Sequence, residues 1–255
     1  MATRIVDLSM TTDSDPSPLM NVSITHLDHE AGAKQDQKHY DIDPQDWPFP
    51  GKAYADDFVE MTTHAGTHLD APYHMAPESE GEPAKTIDQI PLEWCMGDGV
   101  VLDIERFPNG HEITVDEVKG LLDEISYELK EGDIPLTHTG NDKFWGTEEY
   151  STRGGHLGRD ALKWILDHGI KLVGTDSWSF DRAYEYWSKD YHDHGRDSSY
   201  LWPCHLLCIE KEYCHVEKLA NLDTLPSHGF RFQALPIKFA EGTAGYVRAV
   251  AFVEE

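Results

Sequence analysis

The stretch His64-Ala-Gly-Thr-His68-Leu-Asp70-Ala-Pro-Tyr-His74 places three imidazoles and one carboxylate within eleven residues, all four on even positions. Along an extended strand, side chains two or four positions apart point to the same face. Gly66 fills the slot between the first two histidines with no side chain, so backbone or an ion can approach closely. An i, i+4 histidine pair would also suit a helix, but Gly66 and Pro72 argue against one. The stretch is therefore expected to be a strand with His64, His68 and Asp70 on one face, bending at Pro72 and carrying His74 just beyond. Two histidines and an aspartate on one face make a ligand set for zinc or a manganese-like ion. An exposed histidine-rich loop is the bland alternative; spacing, glycine and carboxylate together favour a site.

Outward from this stretch, short runs rich in Val, Ile and Leu predict strands at Arg4–Ser9, Val100–Ile104, Ile134–His138, Lys171–Thr175, Ala234–Phe239 and Arg248–Val253. A capping box, Thr114-Val-Asp-Glu117, opens a helix whose Val118, Leu121, Leu122 and Ile125 form one stripe. A second helix is expected over Arg159–His168, stopped by Gly169. This uneven alternation predicts an α/β fold with a mixed sheet, as one domain over residues 1–255. Residues 27–60, 76–91 and 178–203 read as loops. The last holds eight aromatic residues, Trp178, Phe180, Tyr184, Tyr186, Trp187, Tyr191, Tyr200 and Trp202, suited equally to a lid over the site or to a subunit interface.

With 21 basic against 47 acidic residues, the net charge of −26 repels nucleic acid and anionic membrane. No run of about 18 apolar residues marks a membrane span. The opening Ala2-Thr-Arg-Ile-Val-Asp-Leu-Ser9 lacks a signal-peptide pattern, so a cytoplasmic location is the expectation. Cys95, Cys204, Cys208 and Cys214 match no common zinc-knuckle spacing and are expected as buried free thiols.

Far downstream, His205, Glu210, Glu212, His215 and Glu217 are all plausible ligands on residue type alone. His192 and His194, in a charged setting, fit solvent exposure better.

The pattern His-x-Gly-Thr-His-x-Asp-x-Pro-x-His, complete here as His64, Gly66, Thr67, His68, Asp70, Pro72 and His74, resembles the hallmark of the metal-dependent cyclase-like hydrolases. That family includes bacterial kynurenine formamidase and isatin hydrolase. The likeness continues in Leu172-Val-Gly-Thr-Asp176-Ser177, in His205 followed twelve positions later by Glu217, and in the closing segments Ala234–Lys238 and Val247–Val250. The resemblance implies a swivelling-type α/β fold with a mixed, barrel-like sheet and flanking helices, in a homodimer or homotetramer. It implies that His64, His68 and Asp70 bind one divalent metal, and that Asp70 bridges to a second completed by His205 and Glu217. It gives His74 the acid/base role. Formamidases of the family use two zinc ions and isatin hydrolases manganese, so Zn2+ or Mn2+, one or two per subunit, is the expected cofactor. Two departures bear on the substrate: the 27–60 and 178–203 segments are longer than usual, as insertions, and Tyr246 stands where the family's closing motif has proline.

A divalent metal acidifies bound water and holds the developing oxyanion during attack on a carbonyl carbon. The expected activity is thus hydrolysis of a non-peptide carbon–nitrogen bond in a small aromatic or cyclic substrate: an aryl formamide, an isatin-like lactam or an imide. A cyclase, dehydratase or lactone hydrolase would use the same metals and base. A metal-binding protein without catalysis is the third possibility, disfavoured because binding alone needs no spare base at His74.

Overall fold

The apolar runs that lack period-two alternation become the centre of the sheet. Asp133–His138, Leu172–Thr175 and Cys214–Glu217 are buried along their whole length, and Met96–Asp103 is largely so. Strands covered on both faces pair in parallel, as these four do; three of them read as hydrophobic runs, while Cys214–Glu217 alternates Cys214 and Val216 with His215 and Glu217. The computed structural model describes residues 2–13 and 20–254. Its main sheet is curled, mixed and nine-stranded, a half-barrel. In spatial order the strands are Thr3–Asp7, Val250–Glu254, Phe230–Gln233, Met96–Asp103, Asp133–His138, Leu172–Thr175, Cys214–Glu217, His68–Asp70 and Ala244–Tyr246. The flanking strands on both sides pair antiparallel.

Each face of the sheet carries its own core. Leu8, Leu69, Leu136, Val216 and Phe232 pack together on one. On the other, Val100 and Leu102 meet Val118, Leu121 and Leu122 of the helix Val115–Glu124 and Leu162 and Ile165 of the helix Arg159–Leu166. Truncating one such buried leucine to alanine costs about 2–5 kcal/mol. The Thr114 hydroxyl accepts from Glu117 N, and the Glu117 carboxylate accepts from Thr114 N at 2.8 Å, so the capping box forms in full. These elements give the α/β mixed-sheet fold with flanking helices that the sequence implies.

Several local expectations change. Residues 234–239 are not a strand: Pro236 lacks the N–H a ladder needs, and the pairing belongs to Phe230–Gln233 and Ala244–Tyr246 instead. The 27–60 segment is not a loop. Asp28 caps a helix at His29–Tyr40, and Val22–Leu27 pairs antiparallel with Asp56–Met61 as a separate ribbon. A Cβ at Gly32 would lie 1.9 Å from the carbonyl oxygen of Tyr54, so only glycine lets this helix seat there. The 178–203 segment likewise contains a helix, Tyr184–Asp193. All four cysteines are buried and free. Among the described residues, no helix is long and apolar enough to cross a membrane.

Candidate metal centre

The motif folds in three conformations rather than one strand. Residues 62–66 turn, with Ala65 N donating to Thr62 O and Gly66 at φ +61°. His68–Asp70 is the short strand, buried throughout. Pro72 then opens a helical turn, Pro72–Met75, in the N1 position where its missing N–H costs nothing. His74 therefore reaches the site from a helical turn, not along a strand face. The same-face rule holds only for His68 and Asp70.

The neighbouring strand completes the array. His215 is the cross-strand partner of Asp70, and Glu217 that of His68. Two adjacent pairs thus present four polar side chains on one sheet face. His68 Nε2 lies 3.2 Å from Asp70 Oδ1 and 3.8 Å from Glu217 Oε2. His64 Nδ1 lies 2.8 Å from Asp70 Oδ1, while its Nε2 meets Thr243 Oγ1 at 3.1 Å. The turn holding His64 is tied down by Lys218, whose Nζ donates to His64 O, and by Thr67, whose Oγ1 donates to Lys218 O.

His205 enters from the 3-10 turn His205–Ile209, its Nε2 3.7 Å from Glu217 Oε1. Its Nδ1 lies 2.6 Å from Asp181 Oδ2, so that the ring's other nitrogen faces the site. Glu217 Oε1 accepts from Phe180 N at 2.8 Å. All five residues expected as ligands, His64, His68, Asp70, His205 and Glu217, face one another, with His74 at their edge. Glu210 instead pairs with Arg159 and Lys163, and Glu212 with Lys85. His194 is exposed and stacks on Tyr200, and His192 lies near it at the end of the Tyr184–Asp193 helix, away from the site. His215 and Asp181 join the site although the resemblance points to neither. His215 was signalled by lying two positions before Glu217 on one strand; Asp181 carries no local signal.

The donors fit a divalent cation. His68 Nε2 and Asp70 Oδ1 are fully buried, face each other, and have no hydrogen-bond partner. Buried polar atoms are nearly always satisfied, and a metal ion would satisfy both. His68 Nδ1 is already committed to Gly66 O at 2.9 Å, the support a ligating imidazole usually has. Burial opposes charge on Asp70, but the surrounding histidines outweigh it and hold its carboxyl well below the usual range. Burial likewise lowers the His215 pKa, but its hydrogen bonds to Asp70 and Glu217 win and push it up to about 10. His74 shows the opposite balance: burial, aided by the His64 and His205 rings, overrides the pull of Asp70 and lowers it to about 4.

A cavity of about 250 Å³ opens onto this cluster, lined by His74, Met75, Trp202, His205 and Leu206. Larger hollows elsewhere, including one of about 460 Å³ beside Glu112 and Asp160, lie away from the histidines. The aromatic segment forms part of the site wall. Trp202 packs against His205 with ring centres 4.9 Å apart, and Phe180 stacks on His215 at 5.0 Å and 7°.

A family model described as "Putative cyclase" matches residues 6–182. The kynurenine formamidase of Salinibacter ruber is 28% identical over 192 residues, 75% of this chain and 77% of that protein. The isatin hydrolase of Roseibium aggregatum is 25% identical over 218 residues, 80% of this chain and 76% of that protein. Among solved structures, isatin hydrolase A from Labrenzia aggregata bound to benzyl benzoate superposes with a TM-score of 0.76 at 24% identity, covering 99% of this chain and 94% of that one.

Proposed function

Because the chain belongs to the putative cyclase family, whose model spans most of it, we propose that it is a metal-dependent hydrolase of non-peptide carbon–nitrogen bonds, acting on an aryl formamide or an isatin-like lactam. The observation that carries this reading is the pair of buried atoms without a hydrogen bond, His68 Nε2 and Asp70 Oδ1, beside a cavity with His74 on its wall. The similarity to a kynurenine formamidase and an isatin hydrolase supports the substrate class.

His64, His68 and Asp70 would hold a zinc or manganese ion, with His205 and Glu217 the candidates for a second. When bound, such an ion lowers the pKa of water from about 16 towards about 7 and polarises the substrate carbonyl. The remaining work falls to this chain. His74 is neutral at pH 7, since its pKa lies at about 4. Its ring centre lies 4.0 Å from that of His64, and its side chain is a third exposed towards the cavity. It can take a proton from the attacking water and return it to the departing nitrogen, a poor leaving group unless protonated. Trp202 and Leu206 offer an apolar wall to the substrate's ring and exclude bulk water.

The test is metal-reconstituted protein offered aryl formamides, isatins, cyclic imides and lactones in 18O-labelled water, with products read by mass. One label in a new carboxylate or formate is expected. Turnover without label would replace hydrolysis with a proton-abstracting cyclase or dehydratase. The same reading includes assembly into a homodimer or homotetramer, supported by Phe58 and Val59 facing outward on the two-stranded ribbon. Light scattering during size exclusion measures the oligomer directly.

A further inference from the structure

The two oxygens of Asp70 have different occupations. Oδ1 faces His64 Nδ1 at 2.8 Å and His68 Nε2 at 3.2 Å and has no hydrogen bond. Oδ2 is taken by His215 Nε2 at 2.9 Å. A carboxylate that bridges two ions through both of its oxygens gives one to each, and here the second oxygen is already bonded to protein.

His215 Nε2 also stands 3.4 Å from Glu217 Oε1, and Glu217 Oε1 is 3.7 Å from His205 Nε2. It therefore sits among Asp70, Glu217 and His205, the three groups that a second ion would need. The ring is held there from several sides. It is fully buried, fixed by the strand pairing with Asp70, stacked on Phe180, and packed edge-on against His205 with centres 4.6 Å apart.

His215 offers a ligand atom within 4.8 Å of those of Asp70, His205 and Glu217, but its ring lacks the support a ligand usually has. A metal-bound imidazole normally has its other nitrogen supported by a carboxylate or carbonyl. His68 has Gly66 O and His205 has Asp181 for this purpose. The Nδ1 of His215 is buried with no such acceptor. What its geometry provides is an N–H pointed at Asp70.

We infer that His215 takes the place of a second metal: its Nε2–H occupies Asp70 Oδ2, leaving one ion per chain in the His64, His68 and Asp70 set. This rests on the metal-dependent reading above and narrows it. It also departs from the bridging Asp70 that the family resemblance implies, and it makes His215 a positioning residue for Asp70.

The experiment counts ions in purified protein saturated with Zn2+ and then desalted, by elemental analysis. Wild type is expected to hold one ion, lost in His64→Ala and retained in Glu217→Gln. His215→Ala frees Asp70 Oδ2 and is expected to raise the count to two. His215→Gln, whose amide nitrogen can reach the place of Nε2, is expected to stay at one. Two ions in wild type, which needs no variant to fold, would overturn the inference and leave the hydrolase reading intact. A single ion lost in Glu217→Gln, or lost in a His215→Ala protein with native circular dichroism, would overturn it as well. No ion in wild type would instead remove the metal-dependent reading itself.

Discussion

Asp181 accepts His205 Nδ1 at 2.6 Å while also receiving the backbone N–H groups of Cys204 and His205, at 2.7 and 3.0 Å. An acceptor at Nδ1 fixes that nitrogen as the protonated one and turns Nε2 towards Glu217. Burial opposes charge on Asp181, but these hydrogen bonds and the His205 ring hold its pKa below the usual value. Asp181→Asn retains an oxygen for the backbone but loses the carboxylate that orients the ring. The expected result is a folded protein with kcat/KM down by about 10–100-fold. Steady-state kinetics beside circular dichroism checks it, and unchanged turnover would show that the orientation of His205 does not matter.

The candidate metal centre is legible in the sequence to the extent that its residues are local. His64, His68, Asp70 and His74 crowd one motif, and chemistry could be read from residue type although the strand geometry assigned to them was only partly right. Pro72 looked like an obstacle to helix, yet at N1 it begins one. In the sequence His215 is one acidic or imidazole neighbour among five, because which of them share the site depends on pairing with His68–Asp70, and His215 meets Asp70 across 145 positions. Asp181 depends wholly on tertiary structure, since nothing near it in sequence points to His205. The helix His29–Tyr40 escaped for a different reason. Only Gly32, Ala33 and Asp36 of it are buried, so it has no apolar stripe to reveal its period.

His74 and Asp70 should separate on mutation. His74→Ala removes a proton carrier whose Nε2 stays 4.0 Å from Asp70 Oδ2, so the metal should remain while turnover falls about a hundred- to ten-thousand-fold. Asp70→Ala removes the oxygen that both His64 and His68 face. Metal and turnover should then be lost together. Metal analysis and kinetics on the same preparations decide the matter: near-normal rates in His74→Ala would end its acid/base role.

Trp202 should act on substrate binding more than on chemistry. It lines the cavity, meets His205, and rests on Trp187 with ring centres 5.0 Å apart. An aromatic pair contributes about 0.5–1.5 kcal/mol beyond the area it buries. With the lost apolar area added, Trp202→Ala should raise KM for an aryl formamide about tenfold and leave kcat within a few-fold. An aliphatic formamide should be much less affected. Equal losses on both substrates would mean that Trp202 shapes the catalytic groups rather than the substrate's ring.

Stability should fall on the acid side through His156. This residue is fully buried beside the site, its Nδ1 without a hydrogen-bond partner, and burial lowers its pKa from 6.5 to about 4 against the opposing charge of Asp181. The folded state thus favours the neutral ring, whereas the unfolded chain takes up a proton as pH drops below 6.5. Between those values the unfolded state binds more protons, so unfolding free energy rises with pH. The contribution is complete above the unfolded pKa and is lost as pH falls towards about 4, by ~3 kcal/mol in total at 1.36 kcal/mol per unit. His156→Asn removes this titration. Comparing urea midpoints at pH 7 and pH 5, the wild type should lose about 2 kcal/mol more than the variant over that interval. Parallel losses in the two proteins would show that His156 is already protonated in the fold.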